Sequence, residues 1–244
     1  MEKSTSENSS GSGAGACVYE QAYGQQTLGE TLHPGGLGLT RHALSLCTFP
    51  THARVLDVGC GAGLTVQYLR ELGYTAWGVD LSAGLVHAGH RRAPTLPLFQ
   101  AAADFIPLAA GGLDVIVTEC SLSVFEQTDR VLDEFHRLLR SDGVLILTDL
   151  YARNPSALPA LQAVLPSSCL ARSFIREELL NRLAKRGFAQ VIWEDHSEAV
   201  KSLVNPSVSS LFIGAPERGM DPLDLALAVA RVKPGYFLCV SRKC

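Results

Sequence analysis

Apolar positions along the chain fall into short runs that alternate with stretches of helical period. Residues 53–58 (ARVLDV) are a brief Val- and Leu-rich run, the pattern of a buried strand. Residues 61–73 (GAGLTVQYLRELG) then take up helical spacing and stop at Gly73, a residue suited to close a helix. A second strand is predicted over 74–82, a helix over 83–93 stopped by Pro94, and a third strand over 96–102. A fourth strand follows over 113–119, then the strongly amphipathic helix 126–140 (EQTDRVLDEFHRLLR). After the turn Ser141-Asp142-Gly143 comes a fifth strand, 142–151. Helix 174–187, strand 188–195, helix 224–232 and strand 236–243 close the pattern. Ahead of it all, Leu37, Leu39, Ala43, Leu44 and Leu46 have helical spacing after Pro34-Gly35-Gly36, so a short helix precedes the main body. Seven apolar strands alternating with helices imply an α/β fold, a mostly parallel sheet covered by helices on both faces. The last two strands are expected to form an antiparallel pair at one edge.

Composition narrows the function classes. The chain has 244 residues, enough for one globular domain whose core needs neither disulfide nor metal. Its 21 Lys and Arg and 24 Asp and Glu are interspersed and leave a net charge of −3, which argues against a nucleic-acid partner. No run of about 18 apolar residues occurs, so no membrane partner is expected. The chain opens Met1-Glu2-Lys3-Ser4 and stays polar, unlike a secretory leader, so the expected location is cytoplasmic. Seven cysteines cannot all pair internally, and free thiols are expected. Residues 1–16 (MEKSTSENSSGSGAGA) have almost nothing to bury and read as a disordered tail. Residues 17–46 read as an N-terminal cap segment and 47–244 as the main domain. The Pro- and Ser-rich stretch from Asn154 to Cys169 is a candidate lid.

The sharpest motif is Val55-Leu56-Asp57-Val58-Gly59-Cys60-Gly61-Ala62-Gly63. A strand ends, and three glycines at alternating positions lead into a helix. Glycine there permits a tight turn and the close approach of a ligand to the peptide plane. In open α/β sheets, ligands sit at the carboxyl ends of the strands, where strand order reverses. A dinucleotide-binding turn would read G-x-G-x-x-G, and a P-loop would add Lys-Ser/Thr; neither is present. Asp57 instead puts a carboxylate beside a cationic or hydroxyl-bearing ligand, where a pyrophosphate would be repelled. Asp80, ending the second strand, suits two ribose hydroxyls.

VLDVGCGAG followed by GVDLS resembles the class I S-adenosylmethionine-dependent methyltransferases, and the similarity covers roughly residues 34–243. The resemblance implies a Rossmann-like seven-stranded sheet with an antiparallel last strand, in agreement with the strand count. It implies that Gly59, Gly61 and Gly63 shape the turn around the methionine end of the cofactor, with Asp57 near its amino group. By the same resemblance Asp80 binds the ribose and Leu81 packs on the adenine. Many relatives carry Gly-Asp-Ala and then an acid at the end of the third strand. Here Gln100-Ala101-Ala102-Ala103-Asp104 puts Ala102 where that Asp would stand. Asp104 and the backbone of Ala103 are then left to serve the adenine, and Glu119 completes the expected cofactor set.

The thiols give a narrower resemblance. Cys120 ends the fourth strand, Thr148 to Arg153 end the fifth, Cys169 follows the Pro-rich stretch, and Gly187-Phe188 close a helix. That order is similar to arsenite methyltransferases, in which two such cysteines hold trivalent arsenic in front of the methyl group. The resemblance implies Cys120 and Cys169 as the substrate-holding pair, in an accessible, mildly electropositive setting supplied by Arg153 and Arg172. Trivalent arsenic is soft and prefers thiolates, and its lone pair needs no general base. Two features depart from that pattern: helix 64–73 has no cysteine, and the usual C-terminal extension is absent. The plainer reading makes Cys120 a small buried hydrophobe and Cys169 a loop thiol.

Other groups read more simply. Cys60 and Cys239 look structural. His87 and His90 have no partner at metal-ligand spacing, and no metal site is expected. Arg91-Arg92 looks like a solvated helix end. Asp149 is either a substrate-orienting acid or a strand-end anchor, and Tyr23 and His33 are placed to line a capped site. Three functions stand: methyl transfer to arsenite or another thiophilic small molecule, methyl transfer to an O, N or C acceptor, and S-adenosylmethionine binding without catalysis.

Overall fold

The computed structural model describes residues 33–166, 168–204 and 221–244. The expected tail, 1–16, and most of the expected cap segment lie outside them, as does Tyr23. Helix α1 (Gly36–Ser45) leads into β1 (Arg54–Val58), α2 (Leu64–Glu71), β2 (Thr75–Asp80), α3 (Ala83–Arg92), β3 (Leu98–Gln100) and β4 (Leu113–Glu119). Then come α4 (Thr128–Leu138), β5 (Leu139–Ala152), α5 (Leu158–Val164), α6 (Arg176–Lys185), β6 (Phe188–Asp195), α7 (Pro222–Val232) and β7 (Pro234–Lys243). The strands form one sheet in the order β3-β2-β1-β4-β5-β7-β6. All neighbours from β3 to β5 are parallel, and β7 runs antiparallel to both β5 and β6.

Two-residue periodicity divides the core between the two faces of this sheet. Val55, Val115, Val144 and Val240 point to one face, where Val66 and Leu69 of α2 and Leu39, Ala43 and Leu44 of α1 cover them. Leu56, Ile116, Leu145 and Cys239 point to the other, against Val131, Leu132, Phe135 and Leu138 of α4 and Leu179 and Leu183 of α6. Each such side chain removed from water contributes about 1.5–3 kcal/mol, so the helices are held by their apolar stripes more than by propensity. The capping signals act locally. Ser82 accepts a bond from the Leu85 amide (3.0 Å) at the start of α3, and Gly73 takes φ +89° just beyond α2.

Three expectations are corrected. The third strand has three residues rather than seven, because the chain turns at 102–105, where the Phe105 amide bonds to the Ala102 carbonyl. The fifth strand starts at Leu139, directly after α4, and takes the expected turn into itself with Asp142 at φ +62°. The stretch 154–169 is not irregular: it holds a 3₁₀ turn (Pro155–Ala157) and α5. Leu158, Leu161 and Leu165 are buried at helical spacing. Pro155 and Pro159 fall in first turns, where no amide donor is needed.

Candidate functional site

Strand order reverses between β1 and β4, so the carboxyl ends of these two strands flank a crevice. The glycine turn leaves β1 there. The Gly59 and Cys60 amides both bond to the Val79 carbonyl (2.8 and 3.1 Å), and Gly59, Gly61 and Gly63 all have positive φ. The three glycines have different surroundings. A Cβ on Gly59 would lie 2.4 Å from the Ser121 hydroxyl oxygen, and one on Gly63 would lie 2.7 Å from both Leu96 and Leu98. One on Gly61 would meet nothing within 4 Å. Gly59 and Gly63 are therefore required by packing, and Gly61 faces open space. Cys60 packs against Gly78, where an added Cβ would stand 2.7 Å from its Sγ, in keeping with a structural role.

Three carboxylates gather around this turn. Asp80, expected to meet ribose hydroxyls, accepts the amides of Gly61 and Ser82 (2.8 Å each) and so fixes the turn. Glu119 is buried at the end of β4 and accepts the hydroxyls of Thr40 on α1 (2.7 Å) and Thr65 on α2 (2.9 Å). His33 Nε2 approaches it to 3.3 Å, without hydrogen-bond alignment. Asp57 is 3 % exposed, and no hydrogen bond reaches its carboxylate from the described residues. Burial holds the Asp57 carboxyl well above the usual carboxylate range, and the charges of Glu119 and Asp80 push it further. A positive charge placed beside these acids would relieve that repulsion and favour the ionised carboxylate.

Around the crevice, Leu81 is 54 % exposed and Phe105 78 % exposed. Leu81 thus stands open to solvent. Asp104 and Ala103 are half-buried beside it in the 101–105 turn, which is tied to β2 by the Ala101 amide on the Asp80 carbonyl (3.1 Å). The sequence reading missed Phe105. An exposed aromatic directly after a strand end is a signal, but here it sits in an apolar run that masks it. It also misjudged Arg92, whose guanidinium turns inward to the Ala62 carbonyl (3.0 Å) and to Gln67 and so braces the glycine turn.

Cys120 and Cys169 lie within electrostatic reach of each other: neither is in a disulfide, they are 5 % and 6 % exposed, and Cys169 helps to raise the Cys120 thiol. Cys120 adopts φ +54°, a conformation that costs a non-glycine residue about 1–2 kcal/mol, with its amide on the Thr148 carbonyl (2.7 Å). The expected electropositive, accessible setting is not found. Burial and then the Asp149 charge raise the Cys120 thiol well above its ordinary value, partly offset by a bond from the Tyr236 hydroxyl. Burial and Asp149 likewise push Cys169 up to about 12, with only a small opposing effect from Arg172. Arg153 contributes nothing here, since its guanidinium bonds to the Lys233 carbonyl. Asp149 is held by the amide and hydroxyl of Ser123 (2.8 and 2.7 Å) and by the Leu150 amide. It anchors the loop after β4, and burial outweighs those bonds to bring its carboxyl to about 6. Beyond Ser123, a groove of about 300 Å³ opens between α5 and α6, lined by Leu158, Gln162, Arg172, Phe174 and Glu178. No residue of the glycine turn lines it.

Comparison with known proteins agrees with this geometry. The pattern of a methyltransferase domain matches residues 56–147. Malonyl-[acyl-carrier protein] O-methyltransferase of Salmonella typhimurium is 30% identical over 180 residues, 70% of this chain and 71% of that protein. The chain belongs to the S-adenosylmethionine-dependent methyltransferases. The corresponding enzyme of Enterobacter lignolyticus is 30% identical over 129 residues, 53% of this chain, and the match spans only about half (51%) of its length. A solved phosphoethanolamine N-methyltransferase of Haemonchus contortus, bound to S-adenosylhomocysteine, superposes with TM-score 0.67 at 16% identity over 93% of this methyltransferase and 56% of that chain. The methyltransferase's own residues fit the cofactor. The unbonded Asp57 carboxylate suits its cationic methionine end, the open face of Gly61 leaves room for it, and Leu81 and Phe105 offer apolar surface to its base. Among the described residues, no helix is long and apolar enough to cross a membrane.

Proposed function

We propose that this methyltransferase transfers a methyl group from S-adenosylmethionine to a small thiophilic acceptor, of which arsenite is the type, held by Cys120 and Cys169. What supports this reading is that Cys169, 49 positions on, lies near enough to Cys120 at the end of β4 to act on its thiol. One of them is kept in a strained left-handed conformation, and such strain concentrates at functional sites. S-adenosylmethionine supplies an electrophilic methyl on a sulfonium, so the acceptor needs only an aligned lone pair. Asp57, Glu119 and Asp80 would hold the cofactor's cationic and hydroxyl groups, with Gly59, Gly61 and Gly63 forming the turn beneath it. Ala103 and Asp104 would border the base with Leu81. The thiols need not ionise to bind arsenite. Two S–H groups and two arsenic-bound hydroxyls yield two As–S bonds and two waters. Residues 33–46 would roof the site through Thr40 and His33. The cytoplasm, as a reducing compartment, would keep the thiols free.

A second reading has its own support. Raised thiol pKa values suit inert core cysteines, and the relatives named above carry O- and N-methyltransferase names. An oxygen, nitrogen or carbon acceptor is then the alternative, with Asp149 or Tyr151 as the polar group that matters.

The experiment is a pair of single variants, Cys120→Ser and Cys169→Ser, assayed with arsenite. The wild-type protein should take up one equivalent of phenylarsine oxide, a reagent for paired thiols. Each variant should lose that uptake and at least about tenfold in turnover, while binding S-adenosylmethionine normally. Retention of arsenical uptake and turnover by both variants would sink the thiophilic reading and leave the second. S-adenosylmethionine binding by the wild-type protein with no turnover of any acceptor class would leave the binding module alone.

A further inference from the structure

A second group of ligating side chains lies outside the glycine-turn crevice. His42 on α1, Glu194 near the end of β6 and His196 just beyond it come from positions up to 154 apart, yet their ligand atoms all lie within 4.8 Å of one another. Both imidazole Nε2 atoms stand 2.7 Å from the same Glu194 oxygen, Oε2. The rings sit face to edge, tilted 59° with centroids 5.5 Å apart. The arrangement is braced from behind. The His196 amide bonds to the Tyr236 carbonyl (2.7 Å), and Asp195 accepts the amide of Ser197 (2.8 Å) and its hydroxyl.

We propose that His42, Glu194 and His196 form a zinc-binding site that pins helix α1 to the end of β6. Two imidazole nitrogens and one carboxylate oxygen are a donor set zinc uses when its fourth position stays open to water. Calcium and magnesium prefer all-oxygen sites, so the two histidines select against them. A tetrahedral zinc with bonds of about 2.0–2.1 Å sets its donor atoms about 3.3 Å apart. The two imidazole–carboxylate separations of 2.7 Å then need to widen by about 0.6 Å. The side chains are 42%, 32% and 28% exposed, which leaves them that freedom. An imidazole binds zinc through Nε2 in the tautomer that carries its proton on Nδ1. The ion would have a mechanical consequence. Two residues before His42, Thr40 donates to Glu119 at the glycine-turn crevice. A metal at His42 therefore fixes both ends of one short lever, joining the far edge of the sheet to the roof of the crevice.

The test uses the full-length, reduced, metal-free protein titrated with zinc, and with cobalt(II) as the spectroscopic probe. Expected are one equivalent bound at micromolar concentration or tighter, a visible d–d band of four- or five-coordinate cobalt, and a rise in Tm with excess zinc. His42→Ala and His196→Ala should each weaken zinc binding by at least about tenfold, and His196→Asn, nearly isosteric, serves where the alanine variant folds poorly. Three results overturn the proposal: no binding at micromolar free zinc, unchanged binding in a folded His42→Ala/His196→Ala double variant, or a thiolate-to-cobalt charge-transfer band, which would place the metal on the cysteines.

Discussion

Asp57→Asn is expected to weaken S-adenosylmethionine binding by about a hundredfold or more while making the ligand-free protein harder to melt. Without ligand, Asp57 is a buried carboxylate with two acidic neighbours and no hydrogen-bond donor among the described residues. The folded chain tolerates it only by keeping it protonated far above its ordinary range. An acid whose folded pKa is raised contributes stability that is fully present below its unfolded value of about 3.9 and is lost as pH rises from there through the folded pKa. Asparagine removes that loss, so the variant's Tm should fall less steeply with pH. Relief of about 1 kcal/mol raises Tm by about 2–4 °C in a domain of this size. Binding moves the other way. The cofactor's charges would need the ionised carboxylate, and deleting one partner of a buried pair costs about 3–5 kcal/mol, about two to three and a half powers of ten. Wild-type affinity should also rise with pH. S-adenosylhomocysteine, which keeps the amino group that Asp57 is expected to face, should lose a comparable factor. Calorimetric titration and thermal melts from about pH 5 to pH 8 read all of this. A variant that binds as tightly as wild type, or melts lower, refutes the account.

The glycine turn yields the second large effect, because its three glycines are predicted to fail differently. Gly61→Ala should cost the fold only the left-handed penalty of about 1–2 kcal/mol, since its methyl meets no protein atom. That methyl projects into the space assigned to the cofactor, so affinity should fall by about tenfold to a hundredfold. Gly59→Ala carries the same backbone penalty and also drives its methyl into Ser121 at 2.4–2.6 Å. Overpacking of that kind costs about 1–3 kcal/mol more, so Gly59→Ala should lower Tm well below that of Gly61→Ala. Equal Tm losses, or normal affinity in a folded Gly61→Ala protein, would show that the open face of Gly61 is not the ligand's.

Much of this was legible in the chain, for identifiable reasons. Strands covered on both faces read as unbroken apolar runs, so 113–119 emerges with both ends correct. The glycine spacing places the turn, because only tight backbone geometry demands it. What escaped was built by distance. Thr40 and Thr65 give no local signal, yet they meet on Glu119 across 79 and 54 positions. The order of Cys120 and Cys169 was readable, but their electrostatics were not. Nearby arginines promise a basic setting in sequence, whereas burial and Asp149 set it in space. Helix α5 was hidden because prolines that start helices and prolines that break them look alike without the fold. The histidine–glutamate cluster joins residues from opposite ends of the domain, and no spacing rule reaches that far.

The position of β7 has a consequence for how the sheet is finished. It lies between β5 and β6, and β6 has no other strand partner among the described residues. During vectorial synthesis, residues 188–195 leave the ribosome with no strand to join, and β5 stays open along its length. Both wait for residues 234–243, which close two ladders at once. Until that stretch is made, the nascent chain carries a bare, largely apolar edge, the kind of surface that recruits other strands. A product that stops before residue 234 would leave that edge of β5 bare.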